Sequence, residues 1–293
     1  MKRRGRQILL ATGFLAPSVL GVSVFMVLPF ADVVRRSFLD AIGNVFVGTD
    51  NYELVWRNEA FRLASRNTLR FVMTAIPLLF ALSLALSLLV YRAGKGRRVF
   101  KTSLVLPMVI PASAVVLVWK IFLCGDGVVN QMLSWFSREA RMVDWVHGET
   151  AFGVLVVTYL WKNIGYDMLL WLAGLSGISE SIYDAARVDG AGRAAQVWYI
   201  TLPCLSKTMG LVAILSVVNS FRVYRESYLL AGSYPEQTIY MVPHLFGHWF
   251  LTLDVQKMST AAVILVLAAL AVGGGARFLQ GGIRVYMQRK AAE

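Results

Sequence analysis

Within the apolar run 208–231 the chain places Arg222, Tyr224, Arg225, Glu226 and Tyr228, all inside two helical turns. Ionised side chains are expensive in hydrocarbon, so this much charge implies contact with water, with opposite charge or with another protein. Lys120, Lys162 and Asp167 pose the same problem in two earlier apolar runs. Lys120 lies near the end of its run and can snorkel to an interface. Arg222 and Glu226 are spaced i, i+4 and are expected to pair. Tyr224 and Tyr228 have the same spacing and share a helix face flanked by Arg225. Such a face offers recognition chemistry: rings that stack on the C–H faces of a carbohydrate, and charges that hydrogen-bond its hydroxyls. Two readings stay open, a hydrated path and a structural pair facing another subunit. The rings Trp161, Tyr166 and Trp171 of the run 151–175 are read as interface and core packing.

Other chemistries lack their residues. Gly94-Lys95 has neither the upstream glycine nor the following Ser or Thr of a phosphate-binding loop, so the chain is not expected to bind ATP itself. His244 and His248 are four apart, but no third ligand has matching spacing, His147 stands alone, and no H-E-x-x-H is present. A polar vestibule is the better reading, and no metal site is expected. No G-x-S-x-G nucleophile motif occurs. The chain is therefore read as a non-enzyme with no catalytic residues.

The elements that must position these groups are apolar. Of 293 residues 57% are hydrophobic and only 16% charged, with mean hydropathy +0.60. Six apolar runs, near 8–30, 67–91, 100–123, 151–175, 208–231 and 258–280, are long enough to span a bilayer. In lipid they must be helices, because backbone groups find partners only within the chain. Pro17, Pro77, Pro107 and Pro111 fall inside runs and predict kinks. The fold class is all-α, one membrane domain over 1–293, with no internal repeat. The net charge of +12 is placed rather than diffuse. With the N-terminus inside, sixteen Lys and Arg fall on cytoplasmic segments and eight on outer loops, while eleven acids lie outside and four inside. This positive-inside bias puts both termini in the cytoplasm and accounts for the basic balance without nucleic acid. Cys124 and Cys204 fall at opposite membrane edges and are not expected to pair. The N-terminal run is longer than a signal-peptide core and lacks an A-x-A-like site, so it is read as an uncleaved first span.

Between the fourth and fifth runs lies D-A-A-R-V-D-G-A-G-R-A-A-Q-V-W-Y-I-T-L-P, residues 184–203. Ser179 is a plausible N-cap with Glu180 in the first turn. A short helix over 182–188 should end at Gly190, which can take positive φ. A second helix is expected over 192–201, stopping before Pro203. Two adjacent alanines leave a shallow face, and Asp184 adds an anion that a groove can recognise.

This stretch resembles the coupling motif of ABC-importer permeases, E-A-A, three residues, G, nine residues, I-x-L-P. Ala185, Ala186, Gly190, Ile200, Leu202 and Pro203 fall in register, with Asp189 before the glycine; Asp184 replaces the usual Glu. A second resemblance, to maltose-system-like sugar permeases of the first-partner type, rests on Gly48, Asn51 and Tyr52 followed by Asn67, Thr68 and Leu69. L-P-M-V-I-P at 106–111, G-V-V-N-Q-M-L at 127–133 and L-W-K-N-I-G-Y-D-M at 160–168 fit the same family, whereas A-G-S-Y-P at 231–235 departs from its T-x-G-G-P turn. The resemblance implies a subunit of the bacterial inner membrane whose bracket 179–203 couples to an ATPase. It implies as partners a homologous second permease, two ATPase subunits that hold ATP and Mg, and an extracytoplasmic solute-binding protein. The solute it implies is a carbohydrate, with polyol phosphates, amino acids and peptides as alternatives. An ion-coupled carrier is the rival class, and gives residues 184–203 no role.

Overall fold

The computed structural model describes residues 2–42, 45–92, 97–136, 143–232 and 235–290. Gly94 and Lys95 of the basic turn, Arg138 and Arg141 of an outer loop, Ser233 and Tyr234 of the A-G-S-Y-P turn, and Glu293 lie outside them. The described residues are almost wholly helical. Among them there is no strand, only one isolated antiparallel bridge, Leu39 with Phe46.

In chain order the helices are α1 (Lys2–Val22), α2 (Leu28–Arg36), α3 (Asp50–Arg57), α4 (Glu59–Arg92), α5 (Arg97–Val109), α6 (Ala112–Leu123), α7 (Val128–Phe136) and α8 (Ala151–Ser176). They continue with α9 (Glu180–Val188), α10 (Arg193–Gln196), α11 (Leu202–Cys204), α12 (Ser206–Ser220), α13 (Tyr224–Ala231), α14 (Val242–Leu251) and α15 (Val255–Lys290). Among the described residues, three helical stretches are long and apolar enough to cross a membrane, Thr12–Arg36, Glu59–Tyr91 and Ala112–Trp135. The pair Arg193–Cys204 and Ser206–Ala231, bent by 71°, makes a fourth if it is one span.

The prolines act unequally. Pro17, Pro77 and Pro107 ride inside helices. Pro111 breaks one: it stands before α6 with ψ 144, and the expected run 100–123 divides there into α5 and α6. A residue before proline is disfavoured in the α region; Ile110 leaves the helix, whereas Ala16, Ile76 and Leu106 stay in it. The expected run 208–231 also divides, at the 3₁₀ turn Phe221–Val223 between α12 and α13.

The chain forms two compact units, Met1–Arg62 with Phe246–Glu293, and Leu63–Leu245. In the first, Gly48 takes φ +60 and turns the chain into α3. Asn51 is buried there, donating to the carbonyls of Ser37 (2.9 Å) and Leu39 (2.7 Å) and accepting from Gln256. Tyr52 hydrogen-bonds Ser37 at 2.7 Å. The G-x-x-N-Y stretch is thus a clamp that ties the loop after α2 to α3 and α15. The membrane-length stretch through α1 and α2 buries nothing inside the chain and presents Phe14, Leu20, Phe25 and Met26 outward. Exposed apolar surface on that scale marks a lipid or protein contact.

In the second unit α8 is the central helix. One cluster joins Phe71 and Leu79 of α4 to Leu155 and Tyr159 of α8 and to Met241; another joins Val90, Met168, Trp171, Leu172, Leu205 and Val212. Trp171 is fully buried, with Phe80 edge-on at 4.7 Å and its indole N–H donated to Ser83. Asp167, also fully buried, accepts from the Ser216 hydroxyl at 2.7 Å, and the Tyr159 hydroxyl donates to the Ser216 carbonyl at 2.6 Å. These bonds fix α8 against α12, with the other Asp167 oxygen, Oδ1, buried without a partner. The N-T-L stretch is a second clamp: Asn67 donates to the carbonyls of Gln237 and Tyr240, and Thr68 accepts from the Val242 amide at 3.0 Å.

Helix α5 crosses α8 at Gly165, where an added Cβ would lie 1.9 Å from the Leu104 carbonyl oxygen. Only backbone movement relieves that clash, and overpacking of this kind costs about 1–3 kcal/mol or more. Gly165→Ala is therefore expected to lower the thermal stability of the detergent-purified protein, whereas Gly210→Ala in α12, with open space around it, is expected to leave it unchanged or slightly raised. Equal melting temperatures for the two variants would refute the close crossing.

Candidate translocation cavity and coupling segment

The break at Ile110–Pro111 opens a cavity of about 280 Å³. Residues 108–112 form one wall; Thr158, Tyr159, Lys162 and Asn163 of α8 form another; Asn219, Arg222, Val223, Arg225 and Glu226 complete it. Irregular backbone at membrane depth is tolerated where it is buried in protein or lines a water-filled cavity. Pro111 supplies no amide for the carbonyls of the preceding turn. The break and the polar cavity are thus two sides of one arrangement.

The expected Arg222–Glu226 pair does not form. Lys162 donates to Glu226 instead at 2.5 Å, with side chains 16% and 6% exposed. The 3₁₀ turn Phe221–Val223 removes the i, i+4 register on which the expected pair depends. Glu226 faces α8, where Lys162 waits. Arg222 and Arg225 reach the cavity and stay exposed.

The two tyrosines occupy another face of α13 and are not in the cavity wall. Tyr224 packs edge-on against His244 at 4.8 Å and tilts against Tyr228 at 5.6 Å; Tyr228 is 42% exposed. His244 stacks on Tyr240, and its Nδ1 accepts from the Met241 amide. Burial holds its imidazole down at about 4, partly offset by that bond, so the ring is neutral near pH 7. Among the described residues no three His, Cys, Asp or Glu side chains are close enough to hold a metal ion. The five residues singled out on the fifth run are thus divided: three at the cavity, two in a ring cluster. Asn163 and Asn219 of the cavity were not found from sequence. An uncharged amide in an apolar run is a weak signal, and only the packing of α8 against α12 brings these two together.

The segment 179–203 folds as a bracket. Helix α9 begins at Glu180, earlier than expected, after Ser179 in extended backbone. The Ser179 hydroxyl does not cap it; it bonds Ser181. The C-terminus is a Schellman motif: Ala191 N–H donates to Ala186 at 2.8 Å and Gly190 N–H to Arg187 at 3.1 Å, with Gly190 at φ +77. Asp184 accepts from Arg187 at 2.9 Å, both exposed. Asp184, Ala185, Asp189 and Gly190 lie on the open side of the bracket and Ala186 is partly covered. Tyr183 ties α9 to Thr201 at 3.0 Å. The second helix does not stop before Pro203. After α10 it widens into a π turn, Val197–Thr201, and continues through Leu202 and Pro203 to Cys204. Pro203 sits near the end of this continuous helix, and the π turn loosens the ladder ahead of it. Ile200 and Leu202 are partly covered and Pro203 is exposed.

A helical chain with membrane-length apolar stretches and a charged cavity among its helices has the build of a membrane protein. Residues 78–284 match the family described as binding-protein-dependent transport system inner membrane component, and the chain belongs to that family. It is a permease subunit of an ABC importer. It is 28% identical over 272 residues to a sulfoquinovosyl glycerol transport system permease protein of Agrobacterium fabrum, covering 90% of this chain and 88% of that one. It is 30% identical over 228 residues to an arabinooligosaccharides transport system permease protein of Bacillus subtilis, covering 74% and 70%. In fold it is similar to a chain of a bacterial alginate ABC transporter solved in complex with an alginate pentasaccharide-bound periplasmic protein, with TM-score 0.77, 22% identity, and 94% and 95% of the two chains covered.

A nearly enclosed ion pair is hard to break from one side. Removing a single partner leaves an unpaired buried charge, at a cost of about 3–5 kcal/mol, while replacing both is far milder. Lys162→Met and Glu226→Leu are each expected to destabilise the purified complex strongly, with the double variant recovering most of the loss. Additive losses in that cycle would show that the two side chains do not depend on each other.

Proposed function

We propose that this permease forms half of the translocation pathway for a carbohydrate, delivered by an extracytoplasmic binding protein and moved by two ATPase subunits that hold ATP and Mg. The other half is a homologous second permease. The observation that carries this reading is the cavity of Lys162, Glu226, Arg222 and Arg225, a polar space among apolar helices. The relatives' named solutes, a sulfoquinovosyl glycerol and arabino-oligosaccharides, support the solute class. The proposed path residues are Arg222, Arg225 and Glu226, with the Tyr224–Tyr228 ring pair beside them. The chain is read as one transmembrane domain with six spans: α1–α2, α4, α5–α6, α8, α12–α13 and α15. Both termini then lie in the cytoplasm of a bacterium.

Residues 179–203 are proposed to couple the spans to the ATPase. Asp184, Ala185, Ala186, Asp189 and Gly190 form the docking end, and Ile200, Leu202 and Pro203 join it to α12. Exposed apolar groups support a protein partner at this end: Val188 is 88% and Ile182 44% exposed. On binding of ATP the ATPases close, the bracket moves, and the spans open outward.

Two measurements test this. In proteoliposomes, Gly190→Pro, which cannot take positive φ, and Asp184→Lys, which inverts the charge, are expected to lower ATP-driven uptake at least about tenfold while the complex still assembles. Normal transport by both variants would reduce 179–203 to a connector. For topology, a reporter active only outside the membrane should be silent after Glu293 and active near Asp144; the reverse pattern would overturn the six-span reading.

A further inference from the structure

The cavity is not electrically balanced. Three bases, Lys162, Arg222 and Arg225, stand against one acid, Glu226, leaving a net charge of +2. Lys162 and Glu226 neutralise each other at 2.5 Å. Arg222 and Arg225 make no ion pair with any described residue. A guanidinium stays ionised under all accessible conditions. Both are exposed at the cavity, and charges placed without a partner inside an apolar run mark substrate or ion pathways.

A neutral sugar makes no use of that charge. Its hydroxyls are served by the uncharged groups already present, Asn163 and Asn219. An acidic group does use it, because the planar fork of arginine matches carboxylate, sulfonate and phosphate oxygens with paired, charge-assisted hydrogen bonds. The N-terminus of α6 opens on the same space through Ala112, and its first-turn amides add positive potential. At about 280 Å³ the cavity lies just below the roughly 300–1,000 Å³ of drug-sized sites, room for one sugar ring and its substituent.

We propose that the carbohydrate passing this cavity carries an acidic group, a carboxylate, sulfonate or phosphate, and that Arg222 and Arg225 hold that group during passage. The inference rests on the reading of the cavity as a carbohydrate path. It makes the two arginines specificity determinants distinct from the binding protein's own selection.

The test uses the whole complex, purified through a tag on this chain together with its ATPase and binding protein, and reconstituted in proteoliposomes. ATP-driven uptake is measured for a galacturonate disaccharide, glucose 6-sulfonate and glucose 6-phosphate, each beside its neutral counterpart, galactobiose or glucose. At least one acidic probe is expected to be carried at least about tenfold faster than its counterpart, and the probe carried identifies which acidic group is used. The readout in variants is the acidic-to-neutral ratio, which a loss of assembly or stability would leave unchanged because both rates would fall together. Arg222→Gln with Arg225→Gln should collapse the ratio, and Arg222→Lys with Arg225→Lys should preserve most of it. The binding protein is the same throughout, so a changed ratio belongs to this chain. Equal uptake of acidic and neutral probes by the wild type, or an unchanged ratio in the glutamine variant, overturns the proposal and leaves the carbohydrate reading standing. Failure of the glutamine variant to assemble with the second permease also overturns it, by making the arginines an interface. No ATP-driven uptake of any probe overturns the carbohydrate reading and the proposal together.

Discussion

Hydrocarbon offers no hydrogen bonds, and the helices of this chain are held together around that fact. The backbone answers with helices wherever the sequence is apolar. The side chains answer with pairs: Trp171 to Ser83, Tyr159 and Asp167 to Ser216, Lys162 to Glu226. Each pair joins different helices, so satisfying a polar atom and fixing a packing geometry are the same event. Helix α8 takes part in all of them, which is why its position decides the rest of its unit. Where the helix is broken, at Ile110–Pro111, the irregular backbone lines a polar cavity rather than an apolar surface.

The motifs of the chain divide into those that hold and those that present. G-x-x-N-Y and N-T-L hold: Asn51 and Asn67 each spend their amide donors on two backbone carbonyls of a distant segment. A loop pinned in this way keeps its conformation without a strand or a disulfide. The bracket 179–203 presents. Its internal bonds, the Schellman turn at Gly190 and the Tyr183–Thr201 link, fix its shape, and its outer surface remains open. A rigid body with an open apolar end can transmit a displacement, where a flexible loop would absorb it.

Much of this was legible in the residues. Apolar run length dictates helices, since no other spanning structure satisfies the backbone without closing a barrel. Gly190 at the end of an Ala-rich helix dictates a left-handed turn, because other residues meet a steric penalty there. The turn that closes the bracket follows from the same local rules. These features act within one or two turns of chain, where sequence separation and spatial separation are nearly the same.

What only the tertiary structure decided lies at longer range. Spacing alone paired Arg222 with Glu226; the fold gives Glu226 to Lys162, 64 residues away, because a 3₁₀ turn shifts the register and α8 lies opposite. Spacing also put Tyr224 and Tyr228 on one face flanked by Arg225; the fold sets Tyr224 against His244 with Tyr228 beside it, and sends the arginine to the cavity. Four prolines looked alike, and only Pro111 breaks a helix. In each case the outcome depends on which partner is present to satisfy a charge, a ring or a freed carbonyl. A one-dimensional pattern names the groups that need partners; the packing of α5, α8, α12 and α13 determines where they find them.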